Sequence, residues 1–338
     1  MKAIVQDGYG PAEDVLRLAE VDKPTPAADE VLIRVHAASV HADVWHTVTG
    51  FPYVMRLMGS GYSRPNNPIP GSDMAGIVEG VGTDVTQFQP GDAVFGETHS
   101  GGMQWLNGGA YAEYVSALAD VLARKPANIT FEQAASVPTS GMIALQNLQS
   151  VGLPQPGEQV LVNGAGGDVG SIALQLAKAY GATVTAVDSA EKFDMLRSLG
   201  ADHLIDSTQE NFTQGSERYD LIFDVASNLR FSDCKRVLTP TGKYLVIGHD
   251  QYGTEGRRIF GSIPKMFGLM ARTPFTGHLP DANFTMPDRQ ALMAVLAAFL
   301  EEEKITPIMD KTFPLDQVPE AIGYLTEGHA RGRIVITV

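Results

Sequence analysis

The stretch Val160-Leu-Val-Asn-Gly-Ala-Gly-Gly-Asp-Val-Gly170 constrains this chain more than any other. A short apolar run, of the kind that forms a buried strand, meets Gly164, Gly166, Gly167 and Gly170, and a helical pattern opens at once. Glycines allow a sharp turn and a close backbone approach to a pyrophosphate. The new helix offers free N–H groups and the positive end of its dipole. A glycine-rich string alone is weak evidence, and its place between strand and helix is what the mechanism demands. Asp188 closes the next strand, 18 residues after Gly170, where a carboxylate can accept from an adenosine ribose. Ser189 and Lys192 follow it and could instead hold a 2′-phosphate. The charge of Asp188 favours NAD(H); Ser189 and Lys192 leave NADP(H) open. Asp168 suits the start of the helix but sits close to where phosphate would lie.

The surrounding pattern fits an α/β fold. Strands are predicted at Gln159–Val162, Thr183–Val187, His203–Ile205, Leu221–Asp224 and Lys243–Ile247, with helices at Val169–Tyr180 and Lys192–Leu199 between them. Short apolar strands alternating with helices imply a doubly wound parallel sheet of the Rossmann kind. Upstream, Val31, Ile33 and Val35 alternate with polar neighbours, and glycine-marked turns separate further short strands, so the first third reads as β-rich. Thr130-Phe-Glu-Gln133 has the spacing of a capping box. After Met270 come a helix near Asp288–Glu302, another near Pro319–Glu327 and a closing strand Arg333–Val338. The division is 1–126 for the first domain, 127–270 for the dinucleotide domain and 271–338 for a return to the first.

Composition narrows the function. Lys plus Arg is 25 and Asp plus Glu is 39, a net charge of −14, which disfavours nucleic acid and anionic membranes as partners. Cys234 is the only cysteine, so no intrachain disulfide and no thiolate zinc cluster can form. No apolar run approaches the roughly 20 residues of a membrane span. Met1-Lys2 leads straight into a strand-like segment, and a cytoplasmic protein is expected.

Three stretches carry a family resemblance over essentially the whole chain. One is Gly71-Ser-Asp-Met-Ala-Gly-Ile-Val-Glu-Gly-Val-Gly82 with Pro90-Gly-Asp-Ala-Val-Phe95. Another is Gly109-Ala-Tyr-Ala-Glu-Tyr-Val115. The third is Ala134-Ala-Ser-Val-Pro138 with the glycine fingerprint and Gly200-Ala-Asp-His-Leu-Ile-Asp206. Together they resemble the medium-chain dehydrogenase/reductase superfamily. The resemblance implies a GroES-like β-rich catalytic domain beside the Rossmann domain, a small-molecule substrate and a homodimer. Zinc-dependent members carry Gly-His-Glu where this chain has Gly71-Ser72-Asp73, and a cysteine ligand in the region of Ser39–Asp43, where there is none. The chain is therefore similar to the zinc-independent quinone oxidoreductase branch. His41, His46 and Asp73 lack the spacing of a closed metal site.

Without a Lewis acid, hydride transfer favours acceptors activated by conjugation, such as quinones, enones and enals. The resemblance places His41 where relatives often have an asparagine near the nicotinamide, so His41 is the first candidate proton donor, against a packing or solvated histidine. Tyr53 is the second, in the Phe51–Pro70 loop that also holds Tyr62. Trp45 and Trp105 line the pocket or fill the core. Thr139 and Ser140 are expected near the nicotinamide, with Ile247, Gly248 and His249 approaching from the other side. Val169 belongs to the helix start, and Asp224-Val-Ala-Ser227, including Ala226, to the adenosine half. Three functions compete: a reductase of a small quinone, enone or related carbonyl, a metal-free alcohol or aldehyde dehydrogenase, and a non-enzymatic nicotinamide-nucleotide sensor. Substrate specificity resides in loops such as Phe51–Pro70 and Gln251–Pro280.

Overall fold

The computed structural model describes residues 1–98, 106–248, 259–280, 288–328 and 330–338, without the side chains at 58 and 59. Trp105, His249 and the first part of the Gln251–Pro280 loop lie outside the described residues. The first part of the chain lays down β1 (Lys2–Gln6), β2 (Leu16–Glu20), β3 (Glu30–Val40), β4 (Asp73–Val81), β5 (Ala93–Glu97), β6 (Tyr114–Leu118) and β7 (Leu122–Arg124). In β3 the alternation expected from the sequence buries Val31, Ile33 and Val35 and exposes Arg34. Near its end the alternation stops, and Ala37 to Val40 are all buried. Both faces are covered there, because this end of β3 enters the junction between the two sheets.

The second sheet contains β8 (Gln159–Asn163), β9 (Thr183–Asp188), β10 (His203–Asp206), β11 (Tyr219–Asp224) and β12 (Leu238–Val246). Among the described residues its order is β10-β9-β8-β11-β12, all parallel. Strand order reverses between β8 and β11, so a crevice opens beyond their carboxyl ends. The predicted strands coincide with these within one or two residues, apart from β12. It starts earlier than its apolar core because Leu238 pairs with Tyr219 before a register shift. The intervening Thr239-Pro-Thr-Gly242 masks that pairing in the sequence.

The chain then closes the circuit. β13 (Met309–Pro314) pairs in parallel with β14 (Arg333–Thr337), and β14 runs antiparallel to β3. The last strand thus lies in the first-domain sheet. Helix Arg289–Glu301 precedes it and buries Leu292, Met293, Leu296 and Leu300 in the core that also holds Leu145 and Leu148. This helix packs at the junction, against the helix that carries Gly141 and against β7 of the first-domain sheet. The contact is close: a Cβ on Gly141 would lie 2.8 Å from Leu296 Cδ1. The Thr130 capping box forms, with Thr130 and Gln133 each accepting from the other's backbone N–H. No described helix is long and apolar enough to cross a membrane.

Leu296 is fully buried between the two helices. Leu296→Ala is expected to cost about 2–5 kcal/mol, read as a lower urea midpoint with unchanged slope. A cost within about 0.5 kcal/mol would mean that the helix is not part of this core.

Candidate active site

The glycine turn is built as the sequence requires. Gly164 follows β8 with φ of +81°, and helix Asp168–Ala179 opens from Gly167 with no side-chain cap. Its first N–H groups therefore have no partner within the helix. A Cβ on Gly170 would lie 2.1 Å from the Gly164 carbonyl oxygen, so this glycine is demanded by packing. One on Gly166 would meet Lys192 and the carboxylate of Asp188. A Cβ on Gly167 would meet only the Gly164 oxygen, at 3.5 Å, leaving space in front of the helix for a ligand.

Asp188 clamps this turn. Its Oδ2 accepts from the Gly166 N–H and its Oδ1 from the Ser189 N–H, each at 2.8 Å. Lys192 Nζ stands 3.5 Å from Asp188 Oδ1, so the two residues proposed to read the ribose are ion-paired with each other. On the other side the chain after β11 crosses the same turn. Val225 and Ala226 donate to the Asn163 carbonyl. Ser227, at φ of +53°, is held by the buried Asp224 carboxylate and by Lys265. Gly248 approaches so closely that a Cβ would lie 1.8 Å from the Val225 oxygen. Ile247 donates to Asp224 O. Gly164, Ala226, Ile247 and Gly248 are thus brought together around the crevice, while Val169 packs half-buried on the core.

The other end lies at the sheet junction and is unexpectedly ionic. Asp73, at the start of β4, is 0% exposed. Its carboxylate accepts from the Thr139 N–H, with Thr139 Oγ1 at 2.5 Å. The same hydroxyl lies 2.7 Å from Glu97 Oε1, and Arg289 holds Glu97 Oε2 at 2.5 Å. Thr139 is thereby committed to two carboxyls, and Ser140 to Arg333. Arg333 of β14 is 2% exposed and also donates to the Ser136 carbonyl. It stands 3.8 Å from Asp73 and 3.1 Å from Asp168. Its Nη1 faces Asp168 off the hydrogen-bond direction, which leaves a buried N–H unsatisfied at the mouth of the glycine turn. A bound phosphate oxygen would satisfy such a donor.

His41 is buried beside this cluster, its Nε2 3.1 Å from Ser72 Oγ and 4.0 Å from Asp73, its Nδ1 3.6 Å from Asp43. Burial alone would lower its pKa, but the facing carboxyls of Asp73 and Asp43 more than offset this and raise it. Burial raises the Asp73 pKa against the opposing charges of His41 and Arg333. The remaining candidates lie elsewhere. Tyr53 is 44% exposed, edge-on to Phe51 and beneath the Arg56 guanidinium, outside the His41 cluster. Tyr62 is on the surface. Trp45 is buried in the first-domain core against His46, whose Nδ1 bonds to the Phe51 carbonyl. Sequence reasoning missed Glu97, Arg289 and Arg333. A charged residue opening the apolar run Arg333-Ile-Val-Ile was the one available signal.

The raised pKa values of Asp73 and His41 have one consequence for stability. Each group binds its proton more tightly in the folded chain than in the unfolded one, above ordinary values of 3.8 and 6.5. Their contribution is present at low pH and falls as pH climbs through each folded pKa. Asp73→Asn, which cannot ionise, should flatten the fall in urea-derived stability between about pH 4 and 8. An unchanged slope would show that Asp73 does not titrate there.

Comparison with known proteins agrees with this architecture. Residues 27–127 match the alcohol dehydrogenase GroES-like domain family, and residues 199–336 match the zinc-binding dehydrogenase family. The chain is 31% identical to a 2-methylene-furan-3-one reductase of Solanum lycopersicum, covering 99% of this chain and 79% of that protein. It is 31% identical to a chloroplastic quinone oxidoreductase of Triphysaria versicolor, covering 99% and 98%. The solved quinone oxidoreductase of Coxiella burnetii superposes with a TM-score of 0.82 at 29% identity, covering 100% and 99% of the two chains. Its parallel sheet beside a mostly antiparallel one, its strand-glycine-helix turn and its end-to-end similarity to these proteins establish that the chain belongs to the medium-chain dehydrogenase/reductase superfamily, in its quinone oxidoreductase-like branch.

Proposed function

We propose that this protein is a zinc-free, NAD(P)H-dependent oxidoreductase that reduces a small quinone, enone or related conjugated carbonyl. One observation carries the reading. The strand-glycine-helix turn and the buried, partly unsatisfied Arg333 converge at the same mouth, with buried His41 behind them in the Asp73–Arg333 cluster. The names of relatives support it, among them an NADPH-dependent alkenal/one oxidoreductase of Arabidopsis thaliana at 31% identity over 99% of this chain.

When bound, a reduced nicotinamide supplies hydride. The chain's own residues do the rest. The N–H groups of the Asp168–Ala179 helix start and Arg333 bind the pyrophosphate. Asp188 is fixed by two backbone N–H donors and cannot swing aside, so its charge opposes a 2′-phosphate. NAD(H) is therefore the proposed preference, with Lys192 the route by which NADP(H) is tolerated. His41 supplies a hydrogen bond, then a proton, to the acceptor oxygen as charge develops there.

The zinc named for the matching family does not fit the donors here. Ser72 stands where a histidine ligand would be and bonds to His41. Asp73 is engaged by Thr139, and His46 Nδ1 by Phe51 O. A homodimer is part of the proposal, supported by exposed Met266, Phe267 and Phe275 near the β12 side of the parallel sheet.

Purified protein should consume NADH absorbance when given quinones or enals. His41→Ala should lower kcat about 10²–10⁴-fold with little change in nucleotide affinity. Asp188→Ser should move the preference towards NADPH by about tenfold or more. No acceptor-dependent turnover across a broad panel would overturn the enzymatic reading and leave a nucleotide-binding sensor.

A further inference from the structure

Thr139 Oγ1 sits 2.5 Å from Asp73 Oδ1 and 2.7 Å from Glu97 Oε1, and both carboxyls are at most 2% exposed. A threonine hydroxyl has one proton to donate. Against two carboxylates it can satisfy one and must press its lone pair on the other. The geometry closes only if the second carboxyl carries a proton and donates back to the hydroxyl. Like charges held this close in a buried site cannot both persist.

The neighbours fix the direction. Arg289 pins negative charge on Glu97 through Oε2. Asp73 faces the N–H of Thr139, the Ser39 hydroxyl at 3.4 Å, Arg333 at 3.8 Å and His41 at 4.0 Å. Tyr111 is turned away, donating to the Ser39 carbonyl, while Asp43 and Asp168 face His41 and Arg333 and not Asp73 itself. The chain of bonds then runs from protonated Asp73 Oδ1 to the Thr139 hydroxyl, and from that hydroxyl to Glu97 Oε1 beside Arg289. Every donor and acceptor along it is used once.

We propose that Asp73 and Glu97 share a single proton through Thr139 at neutral pH, and that this proton is the store from which His41 is recharged in turnover. The first half stands on geometry; the second rests on His41 as the proton donor proposed above. The balance is simple. Hydride from a reduced nicotinamide forms a C–H bond at the conjugated carbon of an enone, and the electron pair moves to the carbonyl oxygen. That oxygen takes a proton from the His41 imidazolium, which becomes neutral. Asp73 returns a proton to His41 and is left as carboxylate until solvent restores it. The atom facing His41 is Asp73 Oδ2, 4.0 Å from Nε2. The proton passes from Oδ1 to Oδ2 by a turn of the carboxyl group, and a shift of about 1 Å then brings Oδ2 to hydrogen-bond length of the imidazole. Because the sites interact, the proton belongs to the cluster rather than to one residue. Thr139 is a positioning residue here, not a catalytic one.

Infrared spectroscopy of this chain, in H₂O and D₂O, reads the shared proton without any activity. A buried carboxylic-acid C=O band should persist in the wild type at pH 7, shift on deuteration, be retained in Thr139→Ser and be lost in Thr139→Val and Asp73→Asn. No such band in the wild type overturns the proposal, even if the variants fail to fold. So does a band unchanged in both Thr139→Val and Asp73→Asn. The store is tested by the pH profile of kcat. Thr139→Val should displace the flank set by His41 by about one pH unit, tenfold in rate on that flank, with Thr139→Ser restoring it. A uniform loss at every pH overturns the store. Absence of all turnover alongside a normal band removes the reductase reading instead.

Discussion

Asp73, Glu97, Arg289 and Arg333 are buried or nearly so where the sheets meet, and the geometry of the site depends on the hydrogen bonds and charge pairs among them. Taking one such charge out of water costs several kcal/mol, recovered only when partners and hydrogen bonds are well placed. The fold meets that demand by bringing distant segments to one point. Asp73 comes from β4, Glu97 from β5, Thr139 from the helix before the parallel sheet and Arg333 from the closing strand. Arg333 in turn reaches Asp168 at the glycine turn. One guanidinium thus ties the sheet that carries His41 to the helix that would receive a pyrophosphate. This explains why the chain returns to its first domain: without β14 the buried acids would face no cation from that side.

The cofactor end obeys a different logic. Apart from the buried Asp224 carboxylate and the Asp188–Lys192 pair, space is created there by leaving side chains out. Gly166, Gly170 and Gly248 each stand where a Cβ would strike a neighbouring segment, so most of the glycine signature is consumed by protein packing. Gly167 is the exception that faces open space. The clamp by Asp188 makes the same point. Its carboxylate orders the turn by accepting from the Gly166 and Ser189 N–H groups.

What could be read from the sequence divides along these lines. The parallel sheet was legible because Val160-Leu-Val and Leu221-Ile-Phe are local patterns whose period and glycine punctuation depend on near neighbours. The capping box at Thr130 was legible for the same reason. The ionic junction was not. Nothing near Thr139 in the sequence announces two carboxyls, since Asp73 and Glu97 reach it only through the pairing of β4 with β5. Thr139 was expected at the cofactor on position alone, and its hydroxyl is instead spent between acids. Asp73, weighed in the sequence alongside His41 and His46, proves to be held by the Thr139 N–H and to face His41. Helix Arg289–Glu301 was legible as a helix, but not its place at the junction, where it packs both on the helix carrying Gly141 and on β7.

The proposed reaction is direct hydride transfer to a conjugated acceptor without a metal. The most direct measurement uses NADH deuterated at the transferring C4 position, an enal acceptor and a strong chelator, with the product analysed by mass spectrometry. Expected are one deuterium on the carbon conjugated to the carbonyl, none at the oxygen after exchange, and an undiminished rate with chelator present. Deuterium lost to solvent, or activity abolished by chelation and restored by zinc, would contradict it.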